Sequence, residues 1–471
     1  MPIPPTPRPR RTGRGWAVTL VLVLLTGATA LGGCTHDIGD PPGPSPFASA
    51  SPSVPATPPV LLSTAVSDLL RSRARAVVSG HQAVYAATVA DPASPAGRRQ
   101  LDSYRAARAL PVSRLEVGTP AVALVESASG TGDAAAPRGG AVATTGTSPS
   151  PGGSPGPSDP LRATAEVDVR YRVDDLDRGD RVARLGYDLV RGRTGWQVEA
   201  ERPVGTGATA PWVAMPTLRV RRGAHAVVAG TVAGPRLAEH VAVVDRALPG
   251  LSSAWPGTPA RVLVLAPSNA AEADALLGRL PSPGTAPVAA TTEGPTGAAG
   301  TATGDRVVLD PTAFGALTRS GRDVVLAHEL AHVAVRSTVP GSPAAWLAEG
   351  YADHVGYARA DVSTRRLLLP LVSSLRTGRG PRRLPTSADL QPAAGDIEVP
   401  YLAAWQAVEL IAREHGEAAL RRLVRAGSST GSAADAEAAT DAALVSVLGT
   451  SRAELTDAWL TRLTQLAIDP G

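Results

Sequence analysis

Two short segments carry the most specific chemistry in this chain. The first is His328-Glu329-Leu330-Ala331-His332; the second, after sixteen further residues, begins at Glu349 and includes Asp353. Histidines four apart on a helix stand on one face, one turn from each other. Two imidazoles so placed can bind one Zn2+, and Glu329 beside them can take a proton from an attacking water. A catalytic zinc takes three protein ligands and keeps a fourth position open, and Glu349 can fill the third place. Glu349 and Asp353 are again four apart, so Asp353 can accept the second ring N–H of a ligating histidine, most directly His328. A chain with eight His and 42 acidic residues meets H-[DE]-x-x-H by chance roughly once in a hundred sequences.

Such a site needs two helices to hold it. Val324, Val325, Leu326, Leu330, Val333 and Val335 surround the first motif, and neither Pro nor Gly occurs between Arg322 and Val339. This pattern predicts a buried helix. Pro340-Gly341-Ser342-Pro343 reads as a turn, and Ala344 to Tyr357 as a second helix that Trp346 and Leu347 pack against the first. The structural alternative is a core helix with two ordinary histidines, followed by a helix whose Glu349 and Asp353 are a solvated face.

The spacing separates two kinds of zinc site. One places a third His six residues after the second, with a Gly midway; those positions here are Thr338 and Val335. The other takes a Glu from the next helix. In that respect HELAH followed by WLAEGYAD resembles the gluzincin metallopeptidases, thermolysin-like in the broad sense, and most nearly the bacterial peptidase MA-like families with H-E-x-x-H…W-L-x-E-G. The resemblance covers about residues 215–471 and is motif-specific over 324–357. It implies His328, His332 and Glu349 as zinc ligands, Glu329 as general base, and a peptide or protein as substrate. It also implies an oxyanion donor, a Tyr or His downstream of the Glu ligand. Tyr401, ahead of the apolar helix Leu402–His415, is the first candidate; His354 and His415 are weaker ones, and a structural role for Tyr401 stays open. The aminopeptidase branch carries a G-x-M-E-N loop, for which Thr291-Thr292-Glu293-Gly294 is the nearest segment. It lacks that pattern, so capture of a free N-terminus is not expected.

The N-terminal residues read as a delivery signal. Arg8, Arg10, Arg11 and Arg14 precede the apolar run Trp16 to Ala30. As a helix that run is about 22 Å long, short of a ~30 Å bilayer core. Leu31-Gly32-Gly33-Cys34 then resembles the bacterial lipoprotein signal, which implies cleavage before Cys34 and its lipidation. Cys34 is the only cysteine, so no intrachain disulfide is possible. Residues 34–59, rich in Pro and Ser, predict an extended tether. The expected location is the extracytoplasmic face of the cell membrane, through a lipid anchor. The net charge is +4, and the four arginines of residues 1–33 account for it. A neutral remainder carries no sign of a nucleic-acid partner or a polybasic membrane patch, and neither is expected.

The fold class expected is α+β. Residues 60–205 read as two helices, Leu61–Ala90 and Ala96–Leu110, then strands at Val112–Leu124, Ala165–Val173, Leu185–Leu189 and Trp196–Ala200, with a disordered insert over 127–159. Helices followed by a curved antiparallel sheet resemble the cystatin-like or nuclear-transport-factor-like cone in architecture. Residues 215–471 are expected to form a zincin-like mixed sheet followed by helices. Its strands are read at His225–Val232, Arg261–Ala266, Val288–Thr292 and Arg306–Leu309, with a helix Arg236–Leu248. One of the last two strands should be a sheet edge beside the site, and Thr296–Gly304 a flexible loop. Helices are expected at 363–375, 402–415, 417–426, 434–448 and 452–467. Two functions fit: a lipid-anchored zinc peptidase, or a binding or scaffolding lipoprotein that keeps the fold without turnover.

Overall fold

A computed structural model describes residues 58–125, 161–279, 289–358, 363–391 and 397–468. The signal segment, Cys34, most of the tether and the whole 127–159 insert lie outside the described residues. The fold is mixed α+β, with two five-stranded sheets.

The first sheet follows three helices, α1 (Pro58–Ser79), α2 (Gln82–Ala87) and α3 (Pro95–Ala109). The single helix expected over 61–90 breaks at Gly80, whose φ of 79° is a left-handed value that glycine adopts without a Cβ clash. Strands β1 (Val112–Val117), β2 (Ala121–Val125), β3 (Arg162–Val173), β4 (Arg181–Gly192) and β5 (Gly195–Pro203) follow. Both β1 and β2 pair antiparallel with β3 along the same edge. The one strand expected over 112–124 is thus interrupted at Gly118–Pro120, where Pro120 has no N–H for the ladder. On β3 the alternation holds throughout: Ala163, Ala165, Val167, Val169, Tyr171 and Val173 are buried.

A short helix, α4 (Pro211–Ala214), leads into β6 (Arg219–Arg222), β7 (Ala226–Gly230), α5 (Gly234–Ala254), β8 (Val262–Ala266), α6 (Ala270–Leu277), β9 (Ala290–Glu293) and β10 (Arg306–Leu309). The second sheet runs β6-β7-β8-β10-β9. Strands β7, β8 and β10 are parallel, and the two edges, β6 and β9, are antiparallel. The central strands are buried along their whole length, as expected of parallel strands covered on both faces, and they are apolar runs for that reason. Helix α5 runs through Pro249 rather than stopping at Leu248. An internal proline costs about 3 kcal/mol, a cost offset by the burial of Leu248, Leu251 and Trp255.

The two sheets share a core. Alternate residues Val227, Ala229, Leu263, Leu265 and Val308 join the hydrophobic cluster under the first sheet, while Ala226, Val228, Val262, Val264 and Val307 join the cluster that holds the helices. Buried polar contacts fasten the same junction. Arg306 donates to Tyr171 Oη and Asp177 Oδ2, each at 3.0 Å, and Arg181 donates to Glu293 on β9 and to the Gly304 carbonyl. Residues 296–304, expected as a flexible loop, are closed by a Thr296–Ala302 bridge, and Thr303 O accepts from the Arg178 and Gly179 amides.

The helical part comprises α7 (Ala313–Ala316), α8 (Arg319–Thr338), α9 (Ala345–Tyr357), α10 (Thr364–Leu367), α11 (Leu369–Arg376), α12 (Glu398–Ala426), α13 (Ala433–Ala443) with a π turn at Leu444–Leu448, and α14 (Arg452–Ile468). Gly416, at φ 80° and ψ 161°, divides α12 where the sequence predicts two helices. Among the described residues no helix is long and apolar enough to cross a membrane.

Candidate metal centre

Helix α8 starts where Thr318 Oγ1 accepts from the Gly321 amide at 3.1 Å, a side-chain N-cap. From Val325 to Val335 every residue is buried, so His328, Glu329 and His332 enter the core with the apolar side chains around them. Helix α9 crosses beside it. Trp346 and Leu347 anchor α9 with no exposed surface; removing such a tryptophan side chain costs about 3–5 kcal/mol. Two glycines let α9 approach its neighbours. A Cβ on Gly350 would stand 2.7 Å from the Ala404 carbonyl of α12, and one on Gly356 would stand 3.0 Å from the Val324 carbonyl of α8. No Cβ is tolerated at the first of these distances, so the Gly of the Trp-Leu-Ala-Glu-Gly segment sets how closely α9 packs on α12, while Gly356 lets α9 close on α8 beside His328.

The packing brings His328, His332, Glu349 and Asp353 together. His328 Nδ1 lies 2.8 Å from Asp353 Oδ1. That contact puts the proton on Nδ1 and leaves the Nε2 lone pair facing the centre. The two Nε2 atoms are 3.1 Å apart, and Glu349 Oε2 is 3.4 Å from that of His328 and 3.7 Å from that of His332. Glu349 Oε2 is buried and has no hydrogen-bond partner. Ligands about 2.0–2.1 Å from a tetrahedral zinc are separated by about 3.3–3.4 Å, and the three separations bracket that value. The donor set of two imidazoles and a carboxylate therefore fits a zinc ion, and His328, His332 and Glu349 are a group that could hold one metal.

Glu329 stands beside this group, fully buried. Thr292 Oγ1 on β9 donates to its Oε2 at 2.5 Å, while its Oε1 is buried with no partner. Burial raises the Glu329 carboxyl pKa, opposed by the two histidines and by the Thr292 hydroxyl. For Glu349 burial also acts upward, but the histidines prevail and hold it down at about 2. Burial disfavours the His328 cation, yet Asp353 and Glu349 push its pKa up to about 10, so a metal ion binds at Nε2 by displacing a proton from it; burial raises the pKa of Asp353 against the pull of His328.

Tyr401, in the first turn of α12, is buried. Burial, and then the charges of Glu349, Asp353 and Glu329, raise its hydroxyl pKa. The two weaker candidates lie elsewhere. His354 Nδ1 and Nε2 each sit 2.7 Å from a carboxylate oxygen, of Glu409 and Glu417, so its ring clamps α9 to both halves of α12. His415 is exposed beside the Gly416 break.

Thr292 is the residue that sequence reasoning missed. The sequence reads its segment as the end of the strand 288–292 and as the nearest counterpart of a loop for a free N-terminus, with no role for its hydroxyl. The usable signal was its place on the short strand read at 288–292, which the sheet order makes the edge next to β10. No protein-family model matches the chain, and no curated protein matches it.

Proposed function

We propose that this chain is a zinc-dependent peptidase of the gluzincin kind, carried as a lipoprotein on the outer face of the cell membrane. One observation carries the reading: two histidine nitrogens and one carboxylate oxygen converge at tetrahedral-edge distances beside a buried Glu329 whose Oε1 has no partner. A thermolysin-like arrangement is supported by the mixed sheet with its antiparallel edge strand β9 against α8, and by the helices that follow. The first sheet with its three helices supports the cone-like reading of residues 60–205.

His328, His332 and Glu349 would hold the zinc, which when bound would supply Lewis acidity toward a carbonyl and lower the pKa of water to about 7. The chain's own groups do the rest. Glu329 Oε1 takes the proton of the attacking water and returns it to the leaving nitrogen. Thr292 fixes Oε2, so that one oxygen is anchored and the other works. Asp353 keeps His328 in one tautomer. The Tyr401 hydroxyl, kept protonated by burial, is the donor this reading assigns to the developing oxyanion. Antiparallel β9 is the edge to which an extended peptide can add.

The test is Glu329→Gln on a peptide library. The variant should keep zinc and fold and lose about 10²–10⁴-fold in turnover; equal activity in the two proteins would remove Glu329 as the base. The second reading, a binding or scaffolding lipoprotein, draws on the burial of the site, where no residue named in the mechanism exceeds 6 % exposure. Under it both proteins bind zinc and neither cleaves.

A further inference from the structure

A cavity lies away from the metal centre, at the carboxyl ends of the parallel strands β7, β8 and β10. In open α/β sheets ligands bind in the crevice outside those ends. The cavity measures about 400 Å3; Thr231, Ser268 and Asp310 follow the strand ends, Arg236 and His240 come from α5, and Arg322 from α8. It also faces the first turn of α5, a 21-residue helix whose N-cap, Ala233, offers no side-chain acceptor. The positive end of the helix dipole is therefore left without a protein group to complement it.

His240 is the independent sign of a ligand. It is 3 % exposed, lines the cavity, and packs edge-on against Phe314 at 5.3 Å, yet its ring nitrogens make no hydrogen bond among the described residues. Buried polar groups are ordinarily paired. Burial and then Arg236, with Arg322 adding and Glu239 opposing, push its pKa down to about 4. One oxygen of each nearby carboxylate is engaged elsewhere: Asp310 Oδ1 accepts from the Thr312 and Ala313 amides, and Glu272 Oε2 takes the Thr231 and Ser268 hydroxyls; Arg322 spends one nitrogen on the Leu317 carbonyl at 2.7 Å and keeps its other donors. Glu239 lies 3.8 Å from Arg236 in an exposed pair, which solvent screens. Two guanidinium groups, an unpaired buried imidazole and an uncapped helix N-terminus thus converge on one space.

We propose that this cavity binds a small oxyanion, a phosphate or carboxylate group, held by Arg236, Arg322 and His240 at the N-terminus of α5. The site is independent of the metal centre and of any peptidase activity. It is tested by titrating the full chain with inorganic phosphate and, separately, with acetate, against chloride at equal ionic strength. The readouts are heat and the His240 ring resonances. Saturable binding of either anion with a shift of the His240 signals is expected; phosphate preference identifies a phosphate-bearing ligand, and acetate preference a carboxylate. Arg236→Ala changes an exposed side chain and should leave fold and zinc content intact while weakening binding about 10- to 100-fold, the worth of one charge-assisted hydrogen bond. No saturable binding of either anion, or wild-type affinity in both Arg236→Ala and Arg322→Ala, overturns the proposal.

Discussion

Replacing Thr292 by Val tests how the general base is held. Valine keeps the branched shape that β9 requires and removes only the hydroxyl, which lies 2.5 Å from Glu329 Oε2. A hydrogen bond to a charged group contributes about 1.5–3 kcal/mol, so up to about 10- to 100-fold in kcat is at stake, at a rate of tenfold per ~1.4 kcal/mol. KM should move little, because Thr292 holds the base and not the metal ligands. The sign of the pH effect follows from the same contact. The Thr292 hydroxyl lowers the Glu329 pKa against burial; without it the pKa rises, less of the base is ionised at a given pH, and the acid limb of kcat/KM moves to higher pH. The assay is steady-state cleavage of one peptide across pH by wild type, Thr292→Val and Thr292→Ser, with zinc content measured alongside. The serine variant should recover most of the activity. A Thr292→Val enzyme with wild-type kcat and an unmoved acid limb would refute the reasoning.

Two further outcomes are expected. The His354 pKa is raised because Glu409 and Glu417 outweigh burial, so the stability this ring contributes is full below its unfolded pKa of about 6.5 and is lost as pH rises through the folded value. The melting-temperature gap between wild type and His354→Gln should therefore be widest in mild acid and narrow toward alkaline pH; a gap that does not change with pH removes the clamp. Cys34 lies outside the described residues, and Cys34→Ser should convert the lipid-anchored protein to a soluble or uncleaved form; an unmodified Cys34, or cleavage elsewhere, in the mass of the mature N-terminus would end the lipoprotein reading.

Local pattern made much of this molecule legible. A Pro- and Gly-free stretch with apolar spacing predicts α8, and the parallel strands are apolar runs because both faces are covered. Gly416 divides α12 as predicted, since glycine alone reaches that backbone conformation without strain. The four-residue spacings of His328 with His332 and of Glu349 with Asp353 mark two helix faces, and the fold sets those faces against each other. The parts that were not legible depend on contacts distant in sequence. Thr292 and Glu329 are 37 residues apart, and Arg306 and Asp177 are 129 apart; nothing near any of them marks the pairing. The core shared by the sheets is hidden for the same reason, because an apolar run shows that a strand is covered but not by what. Pro249 misled because local propensity yields to the burial of Leu251 and Trp255.

The central claim is that three side chains hold one zinc. Metal analysis of the purified protein, wild type beside His332→Ala, tests it most directly. The account predicts one zinc per chain in the wild type and its loss from a still-folded variant. Zinc well below one equivalent after reconstitution, or zinc unchanged in His332→Ala, would contradict it.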